Sequence, residues 1–330
     1  MSLRWGRGLV LGKFMPPHRG HQYLVDFARH AVERLAVVVE HVRNEPIPSQ
    51  LRYAWMRELC PGCDVVHLQE ENPQQPSEHP DFWNIWRSSL ERVLPYSPDV
   101  VFASESYGPR LAAVLGAEFT PVDPGRNIVP VSGTAIRQAP LEHWQYLPEC
   151  VRPYFVKRVC IFGPESTGKS TLTRQLADHF GSVAVPEYAR TLLEHQAGQV
   201  RAEDMMRIVR GQVASEEALA RRAQRVLFCD TDPLTTSIWS DVLFGACDPR
   251  VLAEASSRHY DLTLLLDVDV PWQRDVVRYL PEQRHAFFER CRAALDSEHR
   301  DYVVVRGAWQ ERWEIAVGAV SRLLGSPCSD

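Results

Sequence analysis

The run Gly163-Pro164-Glu165-Ser166-Thr167-Gly168-Lys169-Ser170-Thr171 follows the apolar stretch Val159-Cys160-Ile161-Phe162 and leads into a helical pattern. It fits G-x-x-x-x-G-K-[ST], and that order leaves few folds open. A buried strand must end in a tight glycine turn whose successive N–H groups point inward, and a helix must start at once with its positive end facing the same point. Such a cradle suits the phosphates of a nucleoside triphosphate. Lys169 is placed to reach the β- and γ-phosphates, and the Ser170 hydroxyl to complete the shell of a magnesium ion. A glycine turn before a helix can also be purely structural. Composition argues against that here, because only three of the 37 basic residues are lysines: Lys13, Lys157 and Lys169.

With 330 residues the chain has length for about two domains, each able to bury a core. A net charge of −5 leaves no electrostatic footprint for nucleic acid or an acidic membrane. The longest apolar runs, such as Leu262-Thr263-Leu264-Leu265-Leu266, are too short to span a bilayer, and no signal-peptide layout opens the chain. A cytoplasmic location is expected, with no nucleic-acid or membrane partner, and self-association into a homo-oligomer is left open. The 8 scattered cysteines suit reduced thiols better than a disulfide framework. Cys60-Pro61-Gly62-Cys63, with His67 nearby, has metal-type spacing but no second pair, so a turn with incidental cysteines is the simpler reading.

Residues Arg7 to Gly12 read as a short buried strand, followed by Lys13-Phe14-Met15-Pro16-Pro17-His18-Arg19-Gly20-His21 and an amphipathic helix around Tyr23, Phe27 and Val32. A strand, a proline-stiffened loop and a helix start again make a phosphate site, with imidazoles able to donate to phosphate oxygens and Gly20 allowing close approach. Strand and helix patterns then alternate: Leu35 to Val39, Ser49 to Leu59, Asp64 to Leu68, Asp81 to Leu94 and Asp99 to Ala103. The order implies a parallel sheet with a crevice at the carboxyl ends of its strands. Val131-Ser132-Gly133-Thr134-Ala135-Ile136-Arg137 supplies hydroxyls at a helix start and an arginine one turn further on, a second oxyanion cradle. The aromatic cluster Phe82-Trp83-Asn84-Ile85-Trp86 reads either as core or as a π-face for a flat cationic ring. The polar, proline-rich stretch Glu70 to Pro80 is a candidate cover for this first site.

Three prolines between Pro140 and Pro153 break the alternation, which divides the chain into domains of residues 1–150 and 151–330. In the second domain, Val183 to Val185 leads to Glu187-Tyr188-Ala189-Arg190, a carboxylate, a phenol and a guanidinium at one edge. The apolar strand Val226 to Cys229 ends in Asp230-Thr231-Asp232, the pattern of a magnesium-supporting aspartate, although strand-end aspartates are also frequent caps. Leu262 to Leu266 reads as a further buried strand. Pro271 to Arg278 then opens an arginine-bearing segment that suits a lid, with Arg274 and Arg278 as candidates for the transferred phosphoryl group.

Gly12-Lys13-Phe14, His18-x-Gly20-His21 and Val131-Ser132-Gly133-Thr134-Ala135-Ile136-Arg137 together resemble the nucleotidyltransferase superfamily. The resemblance implies a Rossmann-like domain that moves a nucleotidyl group to a phosphate acceptor, with Lys13, His18, His21, Ser132, Thr134 and Arg137 serving the transfer. With Gly163 to Ser170, Glu187 to Arg190, Asp230 to Asp232 and Trp272-x-x-Asp275-x-x-Arg278 added, nearly the whole chain resembles the bifunctional nicotinamide-nucleotide adenylyltransferase/ribosylnicotinamide kinase family of the NadR type. That resemblance implies an α/β protein of two domains, each with a mainly parallel sheet. A P-loop kinase makes nicotinamide mononucleotide from nicotinamide riboside and ATP, and the first domain adenylates it to NAD. By it, Trp86 becomes the nicotinamide stacker, with Asn84 beside it; Tyr188, Arg190 and Asp232 line the riboside pocket; and Asp230 or Glu187 orients the riboside hydroxyl, with Asp230 and Ser170 toward Mg²⁺. Some members carry an N-terminal helix-turn-helix, for which a first strand beginning by about residue 7 leaves no expected room. Two other readings stay open: a first domain of other acceptor specificity or low activity, and a regulator that senses NAD and ATP without turnover.

Overall fold

Leu9, Val10 and Leu11 of β1 (Trp5–Gly12) are buried on both faces of a sheet, which is why the strand reads as a continuous apolar run rather than an alternating one. Side chains at successive positions point to opposite faces. Val10 joins a core with Phe14, Leu24, Val25 and Ala28 on one side. Leu9 and Leu11 join Phe82, Trp86 and Leu90 on the other. The computed structural model describes residues 4–273 and 282–325 and divides into two units, Met1–Val151 and Arg152–Asp330.

In the first unit β1 pairs with β2 (Val32–Glu40) and with β4 (Val100–Ala103), while β3 (Asp64–Leu68) and β5 (Glu118–Pro121) form the edges. All four pairings are parallel, in the order β3-β2-β1-β4-β5. The chain leaves β1 in one direction and returns to its other side, so a crevice opens beyond the carboxyl ends of β1 and β4. The loops 13–18 and 104–107 start there. Val32, expected within the first helix, instead begins β2 opposite Trp5. The helix ends at Ala31, and the branched Val32 side chain suits the sheet better than another helical turn.

The second unit repeats the scheme. β6 (Lys157–Phe162) lies between β8 (Val226–Asp230) and β9 (Leu262–Leu266), with β7 (Val183–Val185) and β10 (Tyr302–Val305) outermost, again all parallel. Val159, Cys160, Ile161 and Phe162 are solvent-free, and the helix Lys169–His179 returns across the sheet on Leu172, Leu176 and Ala177. Burying a side chain of the Leu or Phe class contributes about 1.5–3 kcal/mol, so these runs anchor the loops they flank. The short edge strands β5 and β10 were outside the expected pattern: each holds four residues and is less buried than the central strands.

The sheet of the first unit tolerates little added volume at Gly8. A Cβ there would lie 2.9 Å from Val32 Cγ1 and 3.0 Å from Phe102 Cε2. Gly8→Val therefore lowers stability by about 1–3 kcal/mol, seen as a lower urea midpoint of the whole chain. An unchanged midpoint would contradict this packing.

Candidate functional sites

The first site forms where β1 ends. Phe14 turns the chain with φ 48°, buries its ring over Gly12, and meets the His21 ring edge-on with centroids 5.0 Å apart. His18 caps the helix Arg19–Ala31: its Nδ1 accepts from the Gly20 N–H at 3.1 Å, and His21 Nδ1 accepts from the His18 N–H at 3.3 Å. The two rings stack with centroids 3.7 Å apart. Burial, then Arg126, pushes His18 down to about 4; burial, then the charges of His18 and Arg126, holds His21 well below the usual imidazole range. Both are neutral at pH 7. With each Nδ1 used as an acceptor, the proton sits on Nε2, leaving Nε2–H as the donor each ring offers.

The second motif of this unit meets the first. Ser132 caps the helix Gly133–Gln138, accepting from the Ala135 N–H at 3.1 Å. Gly133 has no alternative, since a Cβ there would lie 2.5 Å from the Met15 carbonyl oxygen. Arg137 bridges the two motifs, donating to the Met15 carbonyl and, at 3.1 Å, to Thr134 Oγ1. A cavity of about 850 Å³ is lined by residues of both motifs, among them Gly12, Lys13, Phe14, His18, Gly20, His21, Ser132, Gly133, Thr134 and Arg137.

Phe82, Trp83 and Trp86 form part of its wall. Trp86 is only 6% exposed, and its indole N–H donates to the Pro73 carbonyl at 2.8 Å, so its edge is committed to the fold. Trp83 is half-buried, with the Arg110 guanidinium 6.0 Å over its ring. Asn84 lies on the exposed side of the helix and is not brought to the cavity. Gln74, Gln75 and Pro76, within the expected covering stretch, do line it. Arg43, Arg110, Arg126 and the buried Glu40 also line the cavity, although no motif marks them. Only Pro124-Gly125-Arg126-Asn127, a turn signal with an arginine, hinted at one of them. Cys60 is buried in the core, and burial pushes its thiol up to about 12; His67 stacks on Tyr53 with centroids 5.1 Å apart.

The second site forms where β6 ends. Gly163 takes φ 132° with Leu266 so near that a Cβ would meet its carbonyl oxygen at 2.7 Å. Thr167 Oγ1 and Lys169 Nζ both donate to the Pro164 carbonyl, at 2.8 and 2.9 Å, closing the loop on itself. A cavity of about 880 Å³ is lined by Glu165, Ser166, Gly168, Lys169, Ser170 and Thr171 of this loop, by Glu187 and Arg190 at the start of the helix Tyr188–His195, and by Thr231 just past the end of β8. Burial and the nearby Asp230 raise Glu187 to about 7; burial also raises Asp230, against the pull of Lys169 and a hydrogen bond from Ser170. Asp230 is almost wholly buried, yet its Oδ1 has no hydrogen-bond partner.

Two residues expected in the riboside pocket are used elsewhere. Asp232 accepts from the Thr235 N–H at 2.9 Å as a helix cap and pairs with Arg300, so both carboxylate oxygens serve the fold. An aspartate directly before a helix that opens on Pro233 is a cap by the ordinary rules, and here the cap holds. Tyr188 packs on Gly211, where a Cβ would lie 2.0 Å from its ring, and it does not line the cavity. Arg274 and Arg278 lie outside the described residues. Just before and after that stretch, Gln273 donates to Ser166 Oγ at 2.7 Å, and Arg284 donates to the Ser166 and Val270 carbonyls at 3.0 and 2.9 Å. Trp239, Trp309 and Trp313 also line this cavity, and the sequence reading singled out none of them.

A sequence profile described as an AAA domain matches residues 158–312. The trifunctional NAD biosynthesis/regulator protein NadR of Escherichia coli strain K12 is 30% identical over 295 residues, spanning 83% of this chain and 72% of that protein. The Salmonella typhimurium NadR is 29% identical over 342 residues, spanning 96% and 83%. A NadR crystal structure in complex with NR superimposes with a TM-score of 0.81 at 23% identity, covering 100% of both chains. A NadR complex with NAD and AMP-PNP gives 0.78 at 23% identity, covering 100% of this chain and 99% of the other. Identity of 30% over 83% of this chain and 72% of the Escherichia coli protein leads to one conclusion: the chain belongs to the NadR family.

Proposed function

We propose that the second unit phosphorylates nicotinamide riboside with ATP and that the first unit joins the resulting mononucleotide to AMP from a second ATP, giving NAD and pyrophosphate. The observation that carries this reading is the presence of two separate phosphate cradles, one built on Lys13, His18 and His21 and one on Lys169 and Ser170. Two such sites, each with a lysine in its phosphate loop, suit two consecutive transfers.

In the first unit the mononucleotide phosphate attacks the α-phosphorus of ATP in line. A new P–O bond forms as the bridging bond to the β-phosphate breaks, and pyrophosphate carries the electron pair away. No covalent intermediate is needed, so the work lies in holding the reactants and neutralising charge. The Nε2–H groups of His18 and His21 donate to phosphate oxygens, and Lys13 and Arg137 balance the departing pyrophosphate. Neutral imidazoles suit this role: they donate without a proton to lose. Trp83 and Trp86 give the nicotinamide end an aromatic wall.

In the second unit the 5′-hydroxyl of the riboside attacks the γ-phosphorus and ADP leaves. Glu187 lines the cavity with its carboxyl raised, and it takes the hydroxyl proton. Asp230, bonded by Ser170 and with one buried oxygen unpartnered, fits the support of a magnesium ion. When bound, the ion supplies charge neutralisation between the phosphates. Lys169 supplies the protein's own positive charge there, and Arg190 lines the wall nearby.

Two substitutions separate the halves. In the full-length protein Lys169→Ala lowers riboside phosphorylation by about 10²–10³-fold while NAD formation from the mononucleotide continues, and His21→Ala does the reverse. Product chromatography reads both, and a folded variant that loses both activities contradicts two independent sites. By ¹⁵N NMR, His18 and His21 of the ligand-free protein appear as neutral Nε2–H tautomers at pH 7, and His18 titrates with a midpoint of about 4. A midpoint near the usual 6.5 would contradict the packing around the ring.

A further inference from the structure

In each unit one arginine is withdrawn from solvent behind the phosphate loop: Arg52 is 0% exposed and Arg312 is 1% exposed. Neither belongs to a motif, and neither lines either of the two cavities described above. A guanidinium placed so deep is costly unless it is paired and hydrogen-bonded; both forks are, and Arg312 leaves only its buried Nε without a partner. Arg312 Nη1 donates to the Thr167 carbonyl at 3.0 Å, and its Nη2 donates to the Asp267 carbonyl at 2.9 Å and the Val305 carbonyl at 3.4 Å. Asp269 lies 3.4 Å away as its counter-charge. Arg52 donates to the Lys13 carbonyl, to the Glu40 carbonyl at 3.0 Å and to the Ile47 carbonyl at 2.9 Å, and pairs with Glu45. Each arginine therefore ties the loop that follows the central strand to the ends of neighbouring elements.

We infer that Arg312 and Arg52 are positioning residues for the two transfer reactions: each captures one carbonyl of its phosphate loop and thereby aims the amide of the next residue at the ligand. The peptide group is planar and trans, so its C=O and N–H point opposite ways. When Arg312 draws the Thr167 oxygen into the interior, the Gly168 N–H on the same peptide faces away from it. Gly168 lines the cavity. When Arg52 draws in the Lys13 oxygen, the Phe14 N–H is fixed in the same sense, and Phe14 holds its φ of 48° with its ring against His21. The planar fork spans several carbonyls at once, which a lysine ammonium on a flexible stem cannot do in one geometry. The two loops share no sequence, yet both use the same support.

This inference rests on the two-transfer reading for its readouts, and the two can fail separately. The experiment uses the full-length protein with Arg312→Lys, Arg312→Met, Arg52→Lys and Arg52→Met, measuring kcat and KM for ATP in both reactions together with thermal unfolding. Arg312→Met is expected to lower kcat/KM for ATP in riboside phosphorylation by about 100-fold, as a misplaced site does, with NAD formation from the mononucleotide within about twofold of the unsubstituted protein. Arg312→Lys, which keeps one donor, recovers about tenfold of that loss. The Arg52 variants show the mirror pattern. A folded Arg312→Met protein with unchanged kcat/KM for ATP overturns the inference, as does a lysine variant that regains melting temperature without regaining activity. Should a methionine variant fail to fold, the lysine variant decides by the same ratio. If the unsubstituted protein transfers neither group, the functional reading fails instead, and calorimetric ATP binding to the same variants, weakened about tenfold or unchanged, still decides the role of the two arginines.

Discussion

A backbone that binds phosphate must turn its N–H groups toward the ligand, and every such turn strands a carbonyl on the other side. That constraint shapes both units. In the second, the Pro164 carbonyl is taken by Thr167 and Lys169, the Ser166 carbonyl by Arg284, and the Thr167 carbonyl by Arg312. In the first, the Lys13 and Met15 carbonyls go to Arg52 and Arg137. An unsatisfied buried carbonyl costs about 1–3 kcal/mol, so these side chains are part of the site's energetics although most of them never touch a substrate. The parallel sheets beneath provide the rigid ends from which the loops spring.

Much of this was legible in the chain, and the reasons are physical. The central strands β1, β2, β6, β8 and β9 stood out because burial on both faces demands unbroken apolar runs. The loops that follow β1 and β6 stood out because glycine, lysine and histidine at fixed spacing are what a phosphate needs. The edge strands β5 and β10 did not, since a half-exposed strand of four residues carries little periodic signal. The supporting arginines were illegible for a different cause. In a sequence where arginine is the usual cation, nothing local distinguishes Arg52 or Arg312 from a solvent-facing neighbour; only the fold buries them.

Asp232 and Tyr188 show where motif reading overreaches. Both sit beside residues that do line the second cavity, and adjacency in sequence suggested adjacency in function. Both stretches, however, run from a strand end into a helix start, where the chain turns and neighbouring side chains diverge. Glu187 and Arg190 face the cavity while Tyr188 packs on Gly211, and Thr231 faces it while Asp232 caps a helix and holds Arg300. The aromatic cluster of the first unit divides in a related way. Trp86 is held by the Pro73 carbonyl and belongs as much to the core as to the cavity, whereas Trp83 retains more exposed surface.

The three lysines complete the argument about cations. Lys13 and Lys169 line the two cavities, and Lys157 pairs with Asp261 at 2.7 Å. Arginine lines both cavities as well, but it alone takes the buried positions of Arg52 and Arg312, where a planar group serves several carbonyls. Lys13 and Lys169 stand where, in the proposed transfers, a compact, mobile charge is to follow a phosphate as bonds break and form. The division explains why so lysine-poor a chain keeps a lysine in each phosphate loop. A guanidinium at position 169 is bulkier and needs a planar arrangement of acceptors, while the ammonium folds back on the Pro164 carbonyl at 2.9 Å and can swing to a phosphate oxygen with little cost. The same preference for a point charge holds at Lys13, beside two neutral imidazoles that add donors without adding charge.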